Sequence, residues 1–293
     1  MHPFIQKILA QGPLLTDGAW GTQLQARGLA SGEFPDGWNL AHPEKVAEVA
    51  KAYVEAGSQV ILTNTFGANR VRLAENEALA RQVADINRKG VEISRQAAGG
   101  RAYVFASLGP CGKLILTGDI QPDEVRAAFE EQARALADAG PDALVIETMS
   151  DLSEAKLALG AAKATGLPVV ACMVFDSGQH KDRTMMGTTP EQAAQALTEA
   201  GADVIGANCG QGIDAFVAIC QRLHTATDRP IWIKPNAGQP QLEEGRPVYK
   251  TLPESFALLA PELVQAGASF LGGCCGTTPD FIKALKSKLQ PVA

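Results

Sequence analysis

Two adjacent cysteines, Cys274 and Cys275, lie near the end of the chain in the segment Gly272-Gly-Cys-Cys-Gly-Thr-Thr-Pro279. The apolar residues before this segment predict a strand, and its Thr-Thr-Pro ending predicts the first turn of a helix. The two thiols therefore lie in a strand-to-helix turn, where functional side chains tend to collect. Adjacent cysteines bond poorly to each other because the resulting ring is strained. Two thiolates directed at one point instead suit a soft metal such as zinc.

The elements that position these cysteines alternate between short apolar runs and amphipathic helical patterns. Eight units of this kind, with no linker between them, predict one α/β domain over residues 1–293, a single (β/α)8 TIM barrel. A doubly wound open sheet is the rival fold, but it normally has a glycine-rich phosphate loop, which is not evident here. The predicted strands are 13–17, 59–63, 102–107, 142–147, 168–173, 203–207, 230–234 and 268–271. The predicted helices are 43–56, 75–98, 123–139, 152–165 and 279–289, with others starting near 190, 214 and 253.

Composition excludes several classes of protein. The chain has 26 basic and 32 acidic residues, a net charge of −6, and no basic stripe with interleaved aromatic residues, so we expect no nucleic-acid partner. No apolar run approaches the roughly 18 residues of a membrane span, and no signal peptide is evident at the N-terminus. Six cysteines in a chain of 293 residues do not form a disulfide scaffold. We therefore expect a protein of the reducing cytoplasm without a membrane partner.

The predicted strand ends supply a third thiol. Cys209 ends the sixth strand, whereas Cys274 and Cys275 end the eighth, and closure of a barrel brings these ends to one rim. Three protein ligands with an open fourth position are typical of catalytic zinc. The alternative is that Cys209 is one more small buried cysteine, the role we expect for Cys172 and Cys220.

Two acids also end strands. Asp17 and Glu147 could face one small cavity, where they would bind the ammonium group of an amino acid or act as acid and base. A salt bridge or a helix cap at the rim is the alternative. Thr63 and Asn64, at the end of the second strand, offer hydrogen bonds to a ligand or to their own loop.

Taken together, these strand ends resemble the homocysteine S-methyltransferase family over essentially the whole chain. That family includes the homocysteine-binding barrel of cobalamin-dependent methionine synthase and the enzymes that use betaine or S-methylmethionine. The combination of Asn-Cys with Gly-Gly-Cys-Cys is highly specific to it. The segments that carry the resemblance are Asp17-Gly-Ala-Trp-Gly-Thr22, Thr63-Asn-Thr-Phe66, Ser107-Leu-Gly-Pro110, Glu147-Thr148, Gly206-Ala-Asn-Cys209, Pro235-Asn-Ala-Gly238 and Gly272-Gly-Cys-Cys-Gly-Thr-Thr-Pro279.

The resemblance implies a transfer of a methyl group to homocysteine, giving methionine. It implies that Cys209, Cys274 and Cys275 bind Zn²⁺ and that the sulfur of homocysteine becomes the fourth ligand. It also implies substrate-binding roles for other strand-end residues. Asp17 and Glu147 would hold the ammonium group, Gly18 and Thr63 the carboxylate, and Asn236 matches an asparagine that can occupy the zinc in the absence of homocysteine.

The methyl donor is a separate question. Thr63-Asn-Thr-Phe-Gly67 and Asn208-Cys-Gly210 are similar to the methionine-synthase branch, whereas the betaine branch typically has a tyrosine in the place of Gly67. We therefore expect a methyl-corrinoid donor, and since the chain ends at Ala293, we expect it on a separate protein. Betaine or S-methylmethionine is the alternative, because Phe34 and Trp38 could form a cage for a cationic donor, or a lid over the barrel.

Two other readings remain open. The chain could be a non-catalytic module that binds homocysteine or zinc, or that docks a corrinoid partner. It could also be a different barrel enzyme, such as a metal aldolase, although that class normally uses histidine and carboxylate ligands rather than three thiolates.

Overall fold

A computed structural model describes residues 1–243 and 246–289 of the chain. The strands are β1 Leu14–Leu15, β2 Val60–Ile61, β3 Tyr103–Leu108, β4 Ala143–Met149, β5 Val169–Met173, β6 Val204–Gly212, β7 Ile231–Asn236, β8 Gln241–Glu243, β9 Arg246–Val248 and β10 Ala268–Leu271. Eight of them are parallel and pair in the order β1-β10-β7-β6-β5-β4-β3-β2, and helices cover the outside of this sheet, so the predicted (β/α)8 barrel is confirmed. The bounds of seven barrel strands fall within two residues of the predicted ones, and only β6 extends further.

The helices start and stop where the sequence provides caps. Helix α10 (Pro190–Glu199), for example, begins with a capping box in which Thr189 and Gln192 satisfy each other's backbone N–H groups, and Pro190 follows the cap. Helix α4 (Pro43–Ala56) is capped at its end by Gly57, whose φ of 104° suits glycine. The helices are α1 Pro3–Ile8, α2 Gly21–Gln25, α3 Trp38–Ala41, α4 Pro43–Ala56, α5 Arg70–Leu73, α6 Glu77–Ala80, α7 Val83–Ala98, α8 Pro122–Asp138, α9 Leu152–Lys163, α10 Pro190–Glu199, α11 Ile213–Thr225, α12 Pro253–Ala257, α13 Ala260–Gln265 and α14 Pro279–Leu289.

Side chains close the barrel between the two short strands β1 and β2. The backbone N–H of Gln59 donates to the carbonyl of Leu15 at 2.8 Å, and the side-chain oxygen of Gln59 accepts from the N–H of Leu15 at 3.1 Å. Closer to the carboxyl ends of the strands, the Asp17 carboxylate accepts from the N–H of Leu62 at 2.7 Å. The β1–β2 seam therefore depends on Gln59 and Asp17 as well as on backbone pairing.

Aromatic rings fill the inside of the barrel. Phe105, Trp232 and Phe270 pack together with ring centroids 5.1 to 6.3 Å apart, and all three are fully buried. α1 packs Ile5 and Ile8 against this same inner cluster. The side chains inside the barrel are apolar except near the carboxyl end of each strand. The polar groups at the strand ends therefore lie above this packed apolar layer, on the carboxyl-terminal face of the barrel.

Two sequence predictions differ from the structure. The helix predicted over 75–98 is wrong in its first part, because the Asn76 side chain caps the short helix α6 and the chain leaves helical geometry at Gln82 before α7 begins. The antiparallel hairpin of β8 and β9 was not predicted. Within the described part of the chain, none of the helices combines the length and the hydropathy needed to span a bilayer.

Candidate functional site

Cys209, Cys274 and Cys275 come together at the carboxyl-terminal face of the barrel. Their sulfur atoms all lie within 4.8 Å of one another, and the Sγ atoms of Cys209 and Cys275 are 3.9 Å apart. All three side chains are partly exposed. The arrangement predicted from the strand ends is therefore present in the fold, and Cys209 is not an ordinary core cysteine.

The backbone around the cysteines is fixed by β7. The N–H of Cys274 donates to the carbonyl of Pro235 at 2.7 Å, and the N–H of Cys275 donates to the side-chain oxygen of Asn236 at 3.1 Å. Cys209 has a φ of 64°, a left-handed conformation that is uncommon for a residue other than glycine. Such strain persists only where the surroundings hold it, and it is common at functional sites.

The three thiols differ in their pKa values. Hydrogen bonds from the thiols of Cys274 and Cys275 lower the pKa of Cys209 to about 3. The hydrogen bond to Cys209 in turn raises the pKa of Cys274 and of Cys275, because a second and a third anion would lie beside the first. A bound cation would remove this repulsion. Three clustered soft donors beside an open cavity fit zinc in chemistry and in number.

Asn208 ties this cluster to the end of β4. Its side-chain oxygen accepts from the N–H of Thr148, and its amide nitrogen donates to the Thr148 hydroxyl, both at 2.7 Å. The same nitrogen lies 3.8 Å from the Sγ of Cys274. Thr148 has a φ of 62°, so Asn208 stabilises a second strained residue of the site.

A cavity of about 530 Å³ opens beside the cysteines. This volume is within the range of small-molecule sites and exceeds what one small amino acid needs. The predicted residues Gly18, Thr63, Asn64 and Glu147 line it, whereas Asp17 and Asn236 do not. The complete lining is Gly18, Ala19, Trp20, Gly21, Thr22, Gly32, Glu33, Phe34, Pro35, Asp36, Leu62, Thr63, Asn64, Phe66, Gly67, Arg72, Glu75, Glu147, Thr148, Cys209, Lys234, Gly273, Cys274 and Cys275.

Asp17 is fully buried and already has partners for both oxygens. One oxygen accepts from the N–H of Leu62 and from the indole N–H of Trp20, each at 2.7 Å. The other forms an ion pair with Lys234 at 2.5 Å. The structure therefore places this carboxylate behind the cavity wall, as an anchor for the lysine and for the barrel seam.

Lys234, at the end of β7, was not singled out from the sequence. Its side chain is only 2% exposed, yet it lines the cavity together with Glu147. Burial lowers the pKa of Lys234, but the negative charges of Asp17 and Glu147 outweigh this and raise the pKa overall. The sequence signal that could have identified Lys234 is its charge within an otherwise apolar strand, because burying a charge is costly unless it has a partner.

Of the two acids predicted from the strand ends, Glu147 is the one that lines the cavity. Burial raises its pKa, while the positive charge of Lys234 and a hydrogen bond from the Ser107 hydroxyl act in the opposite direction. The result is a buried acid beside a buried cation. An ammonium group entering the cavity would find Glu147 as its charged partner.

Two backbone N–H groups of the cavity wall are available to a ligand. The N–H groups of Gly18 and Thr63 donate no hydrogen bond within residues 1–243 and 246–289. A Cβ atom at Gly18 would lie 2.7 Å from both the Thr277 and Tyr53 hydroxyl oxygens, so a larger residue does not fit. The Thr63 hydroxyl accepts from the N–H of Ser107 and bonds to Thr65, so its side chain is already engaged.

Asn64 and the aromatic residues at the mouth have separate roles. The Asn64 amide donates to the carbonyl of Pro35 at 2.8 Å and to the side chain of Asn39 at 3.0 Å, which fixes the first loop. Phe34 lines the outer cavity, but Trp38 does not: it is buried, and its indole N–H donates to Glu33 at 2.7 Å. The exposed ring of Phe66 lines the mouth instead.

The similarity of this chain to a known family includes the residues of this site. Residues 14–289 match the family model described as homocysteine S-methyltransferase. The chain belongs to the homocysteine S-methyltransferase family. Within this family, the chain is 32% identical over 304 aligned residues to methionine synthase of Mycobacterium tuberculosis and 32% identical over 296 to that of Mycobacterium leprae. These alignments cover 97% and 94% of this chain, but only 25% and 24% of the relatives, so the chain spans about a quarter of their length.

Solved structures of this family have the same fold. The metallated form of the homocysteine methyltransferase MmuM from Escherichia coli has a TM-score of 0.81 and 26% identity, with 97% of this chain and 99% of that one covered. The oxidized form of the same enzyme gives a TM-score of 0.80, with 98% and 100% covered at the same identity. The chain is thus similar along its whole barrel to a homocysteine methyltransferase that has been crystallised with metal.

Proposed function

We propose that this member of the family transfers a methyl group to the sulfur of homocysteine, giving methionine, and that Cys209, Cys274 and Cys275 hold a zinc ion for this reaction. The observation that supports the proposal most strongly is the cluster of three sulfur atoms within 4.8 Å, on the wall of a cavity with a buried acid and two N–H groups that have no partner among the described residues. The names of the relatives, methionine synthase and homocysteine methyltransferase, agree with it.

Different residues of the cavity bind different groups of the acceptor. Glu147 binds the ammonium group, and the N–H groups of Gly18 and Thr63 bind the carboxylate, which leaves the thiol directed at the three cysteines. Asp17 acts behind the wall through Lys234 and the N–H of Leu62. In this arrangement the acceptor sulfur is held in one place, so that a methyl group can approach it in line.

Cys209, Cys274 and Cys275 would hold the zinc, which would lower the pKa of a coordinating thiol so that the acceptor could react as a thiolate at neutral pH. A free thiol, with a pKa of about 8.5, is mostly protonated at that pH. The protein's own part is to position the acceptor. Asn208 holds Thr148 beside Glu147 and lies against the Sγ of Cys274, so one side chain orients both the ammonium site and the thiol cluster.

For the donor we propose a methyl-corrinoid carried by a partner protein. The similarity to methionine synthases supports this choice. So does Gly67, because a Cβ atom there would lie 2.9 Å from the Asp36 carboxylate, which leaves no room for a tyrosine. The exposed ring of Phe66 belongs to the cavity lining, and we expect the donor to approach past it from outside the barrel.

A cationic small-molecule donor is the second candidate. The outer cavity is lined by the carboxylates Glu33, Asp36 and Glu75 together with the rings of Phe34 and Phe66. Acidic and aromatic groups of this kind attract a sulfonium or a quaternary ammonium. S-methylmethionine or betaine would then take the place of the corrinoid.

A donor screen tests the proposal. Zinc-loaded protein and homocysteine are incubated with methylcobalamin, S-methylmethionine or betaine, and methionine is quantified by mass spectrometry. We expect turnover with methylcobalamin, and loss of both zinc and turnover in Cys274→Ala. Cys111→Ser is the matched control, because Cys111 is buried outside the cavity. Binding of homocysteine without turnover from any donor would support a non-catalytic module, and full activity of Cys274→Ala would reject the metal site.

A further inference from the structure

Lys234 introduces a positive charge into the part of the cavity that was expected to hold only two carboxylates. Its side chain is buried, its Nζ lies 2.5 Å from Asp17, and the same Nζ is 5.9 Å from the centre of the Trp232 ring. The lysine side chain therefore lies near the Trp232 ring inside the barrel and reaches across to Asp17, which follows β1. Although it is buried, the lysine lines the cavity.

Folding alone does not account for a lysine at this position. A buried ion pair contributes little net stability compared with apolar residues of similar volume, because both charges lose their hydration. The neighbouring inward residues of the barrel, such as Trp232 and Phe270, show that apolar side chains fill this space readily. The charge of Lys234 is therefore available to bind a ligand in the cavity.

The charge arrangement separates the two ends of an amino-acid acceptor. Asp17 is saturated by Lys234, Leu62 and Trp20, so a second ammonium near it would meet the lysine charge. Glu147 faces the cavity and has a hydroxyl partner in Ser107 and no described ion pair within 4 Å, so it can take an ammonium. A carboxylate, in contrast, is attracted by Lys234 and finds on the cavity wall the N–H groups of Gly18 and Thr63, which donate to no residue in the described part of the chain.

We infer that Lys234 is a specificity-determining residue that binds the carboxylate of the acceptor thiol, with Asp17 acting as its anchor and Glu147 holding the ammonium group. The inference rests on the proposed function and names the acceptor class more closely: thiols that carry a carboxylate three carbons from the sulfur. The carboxylate makes the larger contribution to binding, because it meets a charge and two N–H groups, whereas the ammonium meets Glu147, whose negative charge Lys234 already offsets in part.

The experiment measures binding of three thiols to the zinc-loaded 293-residue chain by calorimetry. L-homocysteine carries both charged groups, 4-mercaptobutyrate lacks the ammonium, and 3-mercaptopropylamine lacks the carboxylate. For Lys234→Met we expect the Kd of L-homocysteine and of 4-mercaptobutyrate to rise about 10- to 100-fold, the range of one charge-assisted hydrogen bond. The Kd of 3-mercaptopropylamine should stay the same or fall.

Two further variants distinguish a selective loss of carboxylate binding from a general loss caused by misfolding. Asp17→Asn combined with Lys234→Met removes both charges of the pair, so no unpaired buried carboxylate remains, and we expect the same selective loss of carboxylate binding. Lys163→Met removes a lysine from an ion pair with Asp203 (3.0 Å) outside the cavity and should leave all three affinities unchanged.

Each result has a defined meaning. Tighter binding of L-homocysteine by Lys234→Met would show that the lysine competes with the substrate ammonium, and would overturn the inference. An equal loss for all three thiols in both Lys234 variants would also overturn it, since the lysine would then act only through structure. If the wild-type protein binds none of the three thiols, the proposed function itself fails. If it binds and methylates homocysteine but ignores the Lys234 substitution, only this inference fails.

Discussion

Asp36 should make the protein less stable as the pH rises from about 4 to about 6. This side chain is 4% exposed, and burial raises its pKa from 3.8 to about 6 against an opposing hydrogen bond from the N–H of Gly67. An acid with a raised pKa is neutral in the folded protein at a pH where it is already ionised in the unfolded chain. Its contribution to stability is therefore present below pH 4 and lost by pH 6.

The size of this effect follows from the shift. A rise of about 2 units corresponds to about 3 kcal/mol, which is an upper bound for one carboxyl group. Asp36→Asn keeps the oxygen that accepts from Gly67 but has no charge to bury. We expect the variant and the wild type to be equally stable at pH 4, and the variant to be more stable by up to about 3 kcal/mol at pH 7. In a domain of this size, a difference of about 3 kcal/mol would raise the Tm by up to roughly 6 °C.

Calorimetric melting of both proteins from pH 4 to pH 7 measures this difference directly. Asp85→Asn is the matched control, because Asp85 lies on the surface in an exposed pair with Arg88 and its loss should change the Tm little at any pH. A Tm difference between Asp36→Asn and wild type that does not vary with pH would refute the reasoning. A destabilised variant at pH 7 would show that the Asp36 charge is favourable, through Arg72 for example, rather than costly.

Two other substitutions test the geometry of the site. Asn208→Ala leaves the N–H of Thr148 without its partner, so we expect a loss of about 1 to 3 kcal/mol in the free energy of unfolding and weaker zinc binding in a competition titration with a chelator; unchanged zinc affinity would mean that Asn208 serves only the backbone. Gly272→Ala would place a Cβ atom 1.9 Å from the Thr16 hydroxyl and 2.5 Å from the Asp17 carbonyl, so we expect at least about 2 kcal/mol of destabilisation by chemical denaturation, and a stable variant would show that β1 can move away from β10.

The strands could be predicted because barrel interiors demand apolar runs. β10 was predicted with the bounds that it has, and α4 likewise, since Pro43 and Gly57 mark its two ends. The cysteine cluster also followed from sequence, because parallel strands bring their carboxyl ends to one rim. The start of α7 could not be placed, because competing caps at Asn69 and Asn76 split the preceding segment into short helices.

The charges of the cavity were harder to predict. The pairing of Lys234 with Asp17 joins residues 217 positions apart, and no local pattern announces it. The same applies to Trp38, which is buried and bonded to Glu33 and does not line the cavity. Sequence patterns locate the strand ends, but which of the side chains there face a ligand and which face each other depends on packing across the barrel.

The double use of Asp17 limits how the acceptor site can change. One of its oxygens fastens β1 to the residue after β2, while the other holds the lysine of the cavity. An alanine scan would thus report a strong effect at Asp17 whether or not it ever touched a substrate. A redesign for a new thiol has to leave Asp17 in place and vary Glu147, because a change at Lys234 alone would leave the buried Asp17 carboxylate without its ion-pair partner. Acceptor choice can then diverge within this barrel while its closure stays constant.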